Sequence, residues 1–298
     1  MQKQPRRWGT IAVLGVSSLV FIGLSVLPLV GGIMNQQKET TAISTAKPSA
    51  IADSPEILKK EEEGYQLVLK RDPNNPTVLQ GLLETRLKLI QQGVRQPKDV
   101  IEPLEKLVKL NPGQPLYPIL LGQAQEKSGN STAAAGTYRT VLDQQPTNTE
   151  ALQRYVTLLL QQNQAAAAFD VLQKSSAAAK QANQQQPNSA DLPAIELLMG
   201  DVYLAQQKTG EAIALYDRLH KASPNDFRPV VAKGIVLKNQ GKNTEALTLF
   251  KSAQALAPAQ VKDKIQQLIA STQGSAPTPA NPFSSPSPTQ SPTQNPAP

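Results

Sequence analysis

The sequence contains no cysteine, a single histidine and few aromatic residues. The absence of cysteine from 298 residues excludes disulfides, zinc–thiolate sites and thiol catalysis. Aromatic residues make up 4% of the chain, whereas Ala, Leu and Gln are abundant and lose little side-chain entropy in a helix. Runs of β-branched residues with period-two alternation, the pattern of half-buried strands, are not found. The composition therefore predicts an all-α protein.

Positive charge is in modest excess and is unevenly distributed. Of the net charge of +7, residues 1–50 carry +4, residues 51–271 carry +3, and the chain from Thr272 onward has no charged side chain. Proteins that bind nucleic acid usually concentrate Lys and Arg on one face and space aromatic residues for stacking on bases. Neither pattern is present, so we expect no nucleic-acid partner.

Motifs that carry catalysis are also missing. There is no G-x-S-x-G, no P-loop and no G-x-G-x-x-G. We interpret His220, which falls late in a predicted helix, as an exposed helix residue. The run Glu61-Glu62-Glu63 beside Lys59-Lys60 is interpreted as a solvated helix face and not as an acid/base pair. The sequence therefore predicts no enzymatic activity, no cofactor and no metal site.

A long apolar segment follows a short basic N-terminal flank. Residues 1–7 include Lys3, Arg6 and Arg7, and residues 8–34 contain no charge. About twenty apolar residues span a bilayer, whereas a secretory signal peptide has an apolar region of about 7–15 residues beside its cleavage site. We therefore predict a transmembrane signal-anchor helix, with a cleaved signal as the alternative. The basic flank predicts a cytoplasmic N-terminus, with the rest of the chain across the membrane in a periplasm or lumen.

Three segments share one spacing of small, aromatic and proline residues. An alanine follows a glycine by twelve residues, an aromatic residue comes four later, and a proline stands twelve after the alanine. The residues are Gly122, Ala134, Tyr138 and Pro146; Gly200, Tyr203, Ala212, Tyr216 and Pro224; and Gly234, Ala246, Phe250 and Pro258. This pattern resembles the tetratricopeptide repeat (TPR), a helix pair of about 34 residues.

Each residue type in the pattern has a physical interpretation. The small residues let the two helices of a pair approach closely, and Tyr203 and Tyr216 fill the space between repeats. The proline ends the second helix. Asn225-Asp226, directly after Pro224, supplies turn and N-cap chemistry for the next helix.

The resemblance implies an all-α, right-handed superhelix of antiparallel helix pairs over residues 54–271. Its repeats are predicted near residues 77–112, 115–148, 149–187, 193–226 and 227–260, after a half repeat at 55–71 and before a cap at 261–271. The helix that starts near Ala165 is predicted to be about two turns longer than usual and to project from the stack. Residues 35–53 are predicted as a flexible linker and residues 272–298, with eight prolines, as a disordered tail.

In such a solenoid the first helix of each pair lines the concave face. By helical phase, the candidate partner-binding residues are Gln123, Glu126, Lys127, Gln153, Thr157, Asp201, Arg228, Lys238 and Asn239. Each of them is also compatible with a plain solvated position. The Lys/Asn/Arg clamp with which some TPR domains bind a C-terminal carboxylate is not found across adjacent repeats, so chaperone binding is not expected.

Two stretches, residues 101–112 and 225–250, resemble membrane-associated TPR proteins of cyanobacteria and chloroplasts, of the SLOW GREEN 1 type. Lys233 departs from the repeat pattern, because an apolar residue usually stands before the glycine. The resemblance implies a role in the biogenesis of thylakoid or photosynthetic complexes.

The leading hypothesis is a membrane-tethered scaffold or assembly factor that binds other proteins in its concave groove. A periplasmic envelope-assembly or secretion adaptor has the same fold with different partners. An accessory helical domain of an enzyme is disfavoured, because no remaining segment is large enough for a catalytic domain. The oligomeric state is left open.

Overall fold

The computed structural model describes residues 54–274, and these residues form twelve α-helices and no strand. The helices are α1 (Pro55–Arg71), α2 (Pro76–Gln91), α3 (Ile101–Leu110), α4 (Leu116–Lys127), α5 (Ser131–Gln144), α6 (Thr149–Gln161), α7 (Ala165–Gln185), α8 (Leu192–Ala205), α9 (Thr209–Ala222), α10 (Phe227–Asn239), α11 (Asn243–Leu256) and α12 (Ala259–Gln273). A short 3-10 helix, Pro97–Val100, leads into α3. The prediction of an all-helical solenoid is confirmed for this range.

Helices that are neighbours in sequence pack on one another, and five pairs follow the lone helix α1 and precede α12. The pairs are α2–α3, α4–α5, α6–α7, α8–α9 and α10–α11. Their buried side chains form four hydrophobic clusters that succeed one another along the chain. Such a core is quasi-one-dimensional, because each repeat is stabilised by its neighbours only.

A buried aromatic ring lies over the glycine in each of the three regular repeats, which are the pairs α4–α5, α8–α9 and α10–α11. Tyr138, Tyr216 and Phe250 are almost fully buried, and each ring contacts the glycine sixteen residues earlier. A Cβ built at Gly234 would lie 2.6 Å from Phe250 Cε1, closer than carbon atoms approach without overlap. The glycine therefore makes room for a ring, which corrects the prediction that it serves the approach of two backbones.

The two tyrosines of the fourth pair act differently. Tyr216 fills the gap inside its own pair over Gly200 and also belongs to a cluster with Ala232 and Val236 of α10. Tyr203 lies against Phe169 of the preceding repeat, with ring centroids 5.8 Å apart. The prediction that both residues fill the space between repeats is thus incomplete for Tyr216.

The irregular repeats solve the same packing problem with other residues. In α6–α7, Val156 and Leu172 stand sixteen residues apart and are both buried, so two aliphatic side chains replace the glycine and the ring. In the first pair, Gly81 of α2 lies under Tyr65 of the preceding helix α1. The glycine–ring contact is therefore replaced by aliphatic side chains in the third pair, and at the N-terminal end it is made between α1 and α2.

Helix boundaries follow local chemistry. Asp226 caps α10 by accepting the Arg228 N–H, as predicted for the Asn225-Asp226 turn. Every first helix ends in a turn with one residue at positive φ. That residue is glycine in three pairs but Asn163 and Gln207 in the third and fourth, with φ of 58° and 62°. Side chains tolerate this conformation poorly, so these two turns carry a small strain that glycine avoids.

Two elements extend differently from the sequence-based expectation. The long helix α7 does not project, because Ser175, Ser176 and Ala179 are buried and Asn183 bonds both backbone groups of Ala190. Helix α12 continues to Gln273, beyond the predicted cap, because Thr272 is buried. Its hydroxyl donates to the Leu268 carbonyl at 2.7 Å.

Glu62 corrects the interpretation of the acidic run in α1. Its side chain is 2% exposed and accepts hydrogen bonds from Arg86 Nε at 2.8 Å and from Arg95 Nη2 at 2.9 Å. Arg86 also donates to the Asp99 carbonyl at 2.6 Å. The two arginines and four hydrogen bonds compensate the cost of burying the Glu62 charge. The same bonds join α1 to α2 and to the loop that follows α2.

Within residues 54–274, none of the helices combines the length and the apolar character that crossing a bilayer requires. The basic flank at 1–7, the predicted anchor at 8–34, the linker at 35–53 and the tail from residue 275 onward lie outside the described residues.

The contact between ring and glycine is testable with one substitution and a matched control. We expect Gly234→Ala to lower the free energy of unfolding by about 1–3 kcal/mol, because the added methyl group overlaps the Phe250 ring. Gly136→Ala, in the middle of α5 with nothing within 4 Å of the new Cβ, is expected to raise it by about 0.5–1 kcal/mol. Urea unfolding followed by helical circular dichroism measures both, and equal responses would contradict this account.

Candidate protein-binding surface

In a helix-pair solenoid the first helix of each pair is expected on the inner side, and in this chain the first helices are α2, α4, α6, α8 and α10. Neighbouring first helices touch in places: α6 packs directly on α8, and Gln80 of α2 donates to the Tyr117 hydroxyl of α4 at 2.6 Å. First helices therefore meet directly at the junctions α2–α4 and α6–α8.

On α4, the predicted residues Gln123 and Glu126 are half-buried and Lys127 is exposed. Gln123 Nε2 and Glu126 Oε1 are both enclosed without a hydrogen-bond partner. Buried polar groups are normally satisfied. The Glu126 carboxylate has the buried Tyr138 hydroxyl beside it, whereas the structure gives no partner for the enclosed Gln123 Nε2.

Glu126 belongs to a polar cluster that the sequence analysis did not identify. The pKa of Glu126 is raised by burial, against the opposing influence of the nearby Tyr138 hydroxyl and of Arg154. Burial also raises the pKa of Glu150, and Arg154 again acts in opposition. The Tyr138 hydroxyl is buried beside the Glu126 carboxylate. Burial raises the pKa of Tyr138, and the interaction with Glu126 raises it further.

Glu150 and Arg154 were not among the predicted residues, although they share one helical face with Gln153 and Thr157 at the spacing i, i+3, i+4 and i+7. Both predicted residues are half-buried, and the Thr157 hydroxyl donates to the Gln153 carbonyl at 2.8 Å. The signal that was available is spacing: Glu150 and Arg154 are four residues apart and so lie one turn from each other on α6.

Asp201 of α8 is half-buried. The burial of its carboxyl group raises the pKa of Asp201 to about 7. Its negative charge also contributes to the raised pKa of Tyr216, after burial. Within the part of the chain that the structure describes, neither Asp201 nor Glu126 nor Glu150 forms an ion pair.

The predicted basic residues of α10 are occupied by contacts inside the molecule. Arg228 pairs with Asp191 at 2.6 Å and with Asp226 at 2.8 Å, and so ties the N-terminus of α8 to that of α10. Burial opposes a rise in the Arg228 pKa, but the hydrogen bonds to these two carboxylates outweigh it and raise the pKa. Lys238 Nζ donates to Ser271 Oγ of α12 at 2.7 Å.

The remaining predicted residue of α10, Asn239, is exposed. Lys233, which departs from the repeat pattern, pairs with Asp217 of α9 at 2.6 Å. An apolar residue at this position would leave Asp217 without that partner.

The first helices therefore differ in how their charges are paired. In the middle repeats the carboxylates Glu126, Glu150 and Asp201 form no ion pair among the described residues, and Lys127 and Arg154 lie on the same helices. In the last repeat the cations are already paired. A partner that contacts the middle repeats meets acidic groups that have lost much of their hydration and lack an ionic partner.

His220 lies elsewhere and is half-buried, with Nδ1 enclosed and without a hydrogen-bond partner; the prediction of an exposed histidine is wrong. It sits on the side of α9 next to the buried Leu219. Across residues 54–274 no group of three or more His, Asp or Glu side chains is placed to hold a metal ion.

A second kind of opening lies beside the turns that join the helices of a pair. The larger one, a cavity of about 430 Å³ between α5 and α6, contains Arg139, whose Nη2 donates to the Tyr155 hydroxyl at 2.8 Å. Its lining is Thr132, Ala135, Gly136, Arg139, Tyr155, Leu159, Gln162 and Gln164. A smaller cavity of about 220 Å³ occupies the corresponding place between α7 and α8, so both are gaps of the repeat architecture.

These features define a helical-repeat protein whose inner surface is suited to contacts with other proteins. The Tetratricopeptide repeat family matches residues 75–259, more than half of the chain, and the chain belongs to that family. Proteins of this family generally mediate protein–protein interactions or assembly, and their fold is typically a non-enzymatic scaffold.

Individual relatives match smaller parts or are distant. Protein SLOW GREEN 1, chloroplastic, from Arabidopsis thaliana is 31% identical over 64 residues, which are 22% of this chain and 20% of that protein. The crystal structure of yeast Tom70 has a TM-score of 0.48 at 16% identity and covers 74% of this chain and 44% of its own. A thermophilic TPR protein of Thermus thermophilus has a TM-score of 0.43 at 19% identity, with coverages of 65% and 98%. The chain thus spans about a fifth of SLOW GREEN 1 and less than half of Tom70.

The raised pKa of Asp201 makes stability depend on pH. The folded state binds the Asp201 proton more tightly than the unfolded state, whose carboxyl pKa is about 3.9. The ionisation of Asp201 therefore leaves the free energy of unfolding unchanged below about pH 4 and lowers it as the pH rises to about 7. We expect Asp201→Asn to stabilise the protein at pH 8 by on the order of 2 kcal/mol and to change nothing at pH 4.

Urea unfolding at the two pH values measures this difference. The control is Asp143→Asn at an exposed position of α5, for which we expect no pH-dependent gain. A gain for Asp201→Asn that is the same at both pH values would contradict the assignment.

Proposed function

We propose that this protein is a membrane-tethered scaffold that holds other proteins along the inner surface of α4, α6 and α8. The observation that carries the proposal is that Glu126, Glu150 and Asp201 of these helices are half-buried and form no ion pair among the described residues. Interaction through stacked helix pairs is what the family generally does, and these groups mark where this chain offers unsatisfied polar chemistry.

The chemistry of the surface indicates the kind of partner segment that fits. A Lys or Arg side chain supplies charge-assisted hydrogen bonds to a carboxylate that burial has already desolvated. Gln123 adds an amide donor beside Glu126, which suits a backbone or side-chain carbonyl of the same segment. We therefore propose a client segment with at least one basic residue that lies across α4 and α6.

Tethering is the part of the proposal that concerns residues 1–53. It is supported by the uncharged stretch at 8–34, which has the length of a membrane span, and by the three basic residues before it. In this arrangement the N-terminus is cytoplasmic and the solenoid lies on the opposite side, in a periplasm or lumen.

Sealed vesicles with the cytoplasmic face outward test this orientation. Added protease is expected to leave the solenoid intact until detergent opens the vesicles. Digestion before detergent would contradict the orientation, and recovery of the solenoid in the soluble fraction would contradict the tether.

For the biological setting, we propose assembly of thylakoid or photosynthetic complexes. The support is the similarity to SLOW GREEN 1, a chloroplastic protein, over 64 residues, together with the stretches at 101–112 and 225–250. A periplasmic envelope-assembly or secretion adaptor is the alternative, and the identity of the captured client separates the two.

Charge reversal on the inner surface tests the binding site. We expect Glu126→Lys combined with Asp201→Lys to reduce cross-linked client proteins in native membranes by about tenfold or more, because a basic segment then meets like charge. Quantitative mass spectrometry of the cross-linked proteins measures the loss.

The matched control, Glu105→Lys with Asp143→Lys, makes the same charge change at exposed positions of α3 and α5. It is expected to retain the wild-type set of clients. Equal recovery from both variants would show that the clients bind elsewhere.

A further inference from the structure

The terminal helices of the described solenoid, α1 and α12, differ in the polarity of their outer faces. At the C-terminal end, α12 buries Ile265, Leu268 and Ile269 against the last repeat. Its outward residues are polar: Lys262, Asp263, Gln266 and Gln267 are exposed. A solenoid needs such a terminal element, with an apolar inner face and a polar outer face, to remain soluble at its end.

At the N-terminal end, α1 presents an outer face that is partly apolar. Ile57, Leu67 and Val68 are 42%, 61% and 45% exposed. Gly64 lies among them, and a Cβ there would have nothing within 4 Å. A glycine inside a helix lowers stability. In the regular repeats a buried ring fills the space beside the glycine, whereas beside Gly64 this space is empty.

Repeat register explains why this face is open. Tyr65 and Pro73 have the spacing of eight residues that separates Tyr138 from Pro146, so α1 has the sequence register of a second helix, although its ring packs on Gly81 of the following helix α2. The residue three positions after the aromatic ring is buried in the regular repeats, with Val141 3% and Ala253 0% exposed. Its counterpart in α1 is Val68. The side of α1 that a first helix would cover therefore lacks that helix within residues 54–274.

We propose that this face pairs with the same face of a second copy of the chain, with the two α1 helices antiparallel and crossing at Gly64. The missing side chain at the crossing point lets the two helices approach closely. Ile57, Leu67 and Val68 then bury apolar surface on both sides of it.

Charge complementarity favours the antiparallel arrangement. The first turn of α1 carries Glu56 and its last turn carries Lys70 and Arg71. An antiparallel pair places Glu56 of each copy beside the basic turn of the other, and the twofold symmetry of such an interface makes both contacts at once. A parallel pair would place like charges opposite each other.

The absence of cysteine permits a direct test in the full-length chain. In membranes that carry the Gly64→Cys variant, mild oxidation should convert the protein to a disulfide-linked dimer, seen on a non-reducing gel. The control is Gly136→Cys, which also replaces an exposed glycine inside a helix with open space around it. It should remain monomeric, and equal dimer yields from both variants would overturn the proposal.

A second substitution separates α1 pairing from proximity caused by a shared membrane. Adding Leu67→Asp to Gly64→Cys introduces two charges into the apolar contact and should raise the apparent dimer Kd by about tenfold or more. An unchanged dimer yield would overturn the proposal.

The chain's own N-terminal segment is the competing occupant, and a double variant distinguishes it. With Ala46→Cys and Gly64→Cys in one chain, dimers confirm the second copy as the occupant. A fast-migrating monomer with an internal disulfide would instead assign the face to the segment before Ser54 and overturn the proposal.

Discussion

In the regular repeats, a buried ring from the second helix fills the volume that a side chain on the first helix would occupy. Gly122, Gly200 and Gly234 allow this contact, and the rings of Tyr138, Tyr216 and Phe250 hold the helices of each pair at one separation. The rest of the solenoid packs on these three pairs, because each repeat is stabilised by its neighbours. The contact also orients the first helix. Glu126, one turn after Gly122, lies on the same side of α4, which places its carboxylate beside the buried Tyr138 hydroxyl.

The helix pairs were predictable from the sequence because their signal is local and repeated. Glycine, alanine, aromatic residue and proline recur at fixed separations, and each of them acts within its own pair. The predicted N-cap at Asp226 and the extension of α7 were accessible for the same reason. What could not be predicted is how α7 ends, since its docking depends on the loop contact between Asn183 and Ala190.

Long-range pairing of charges was also beyond sequence reasoning. Glu62 meets Arg86 and Arg95 at separations of 24 and 33 residues, and nothing in the local pattern distinguishes it from Glu61 or Glu63. Arg228 and Lys238 likewise have the correct helical phase for the inner surface. In the folded chain, however, Arg228 bonds Asp191, 37 residues away, and Lys238 bonds Ser271, 33 residues away. The membership of these residues in a binding surface therefore stays a prediction, whereas Glu126 and Asp201 have no ion pair among the described residues.

These contacts give the solenoid distinct regions along its length. The last repeat uses its cations internally and ends in a polar cap. The middle repeats contain desolvated carboxylates without an ion pair among the described residues, and we propose that a basic residue of a partner protein pairs with them. The first helix leaves apolar surface on the outside. In the proposed scaffold, the surface for client proteins on the middle repeats is separate from the surface of α1 that pairs with a second copy of the chain.

The central claim, that clients lie on the middle repeats, is tested most directly by hydrogen exchange of the protein with and without a captured client. We expect the added protection to be concentrated in α4, α6 and α8, with little change in α3 and α5. Protection confined to the second helices, or to α10 and α12, would contradict the account.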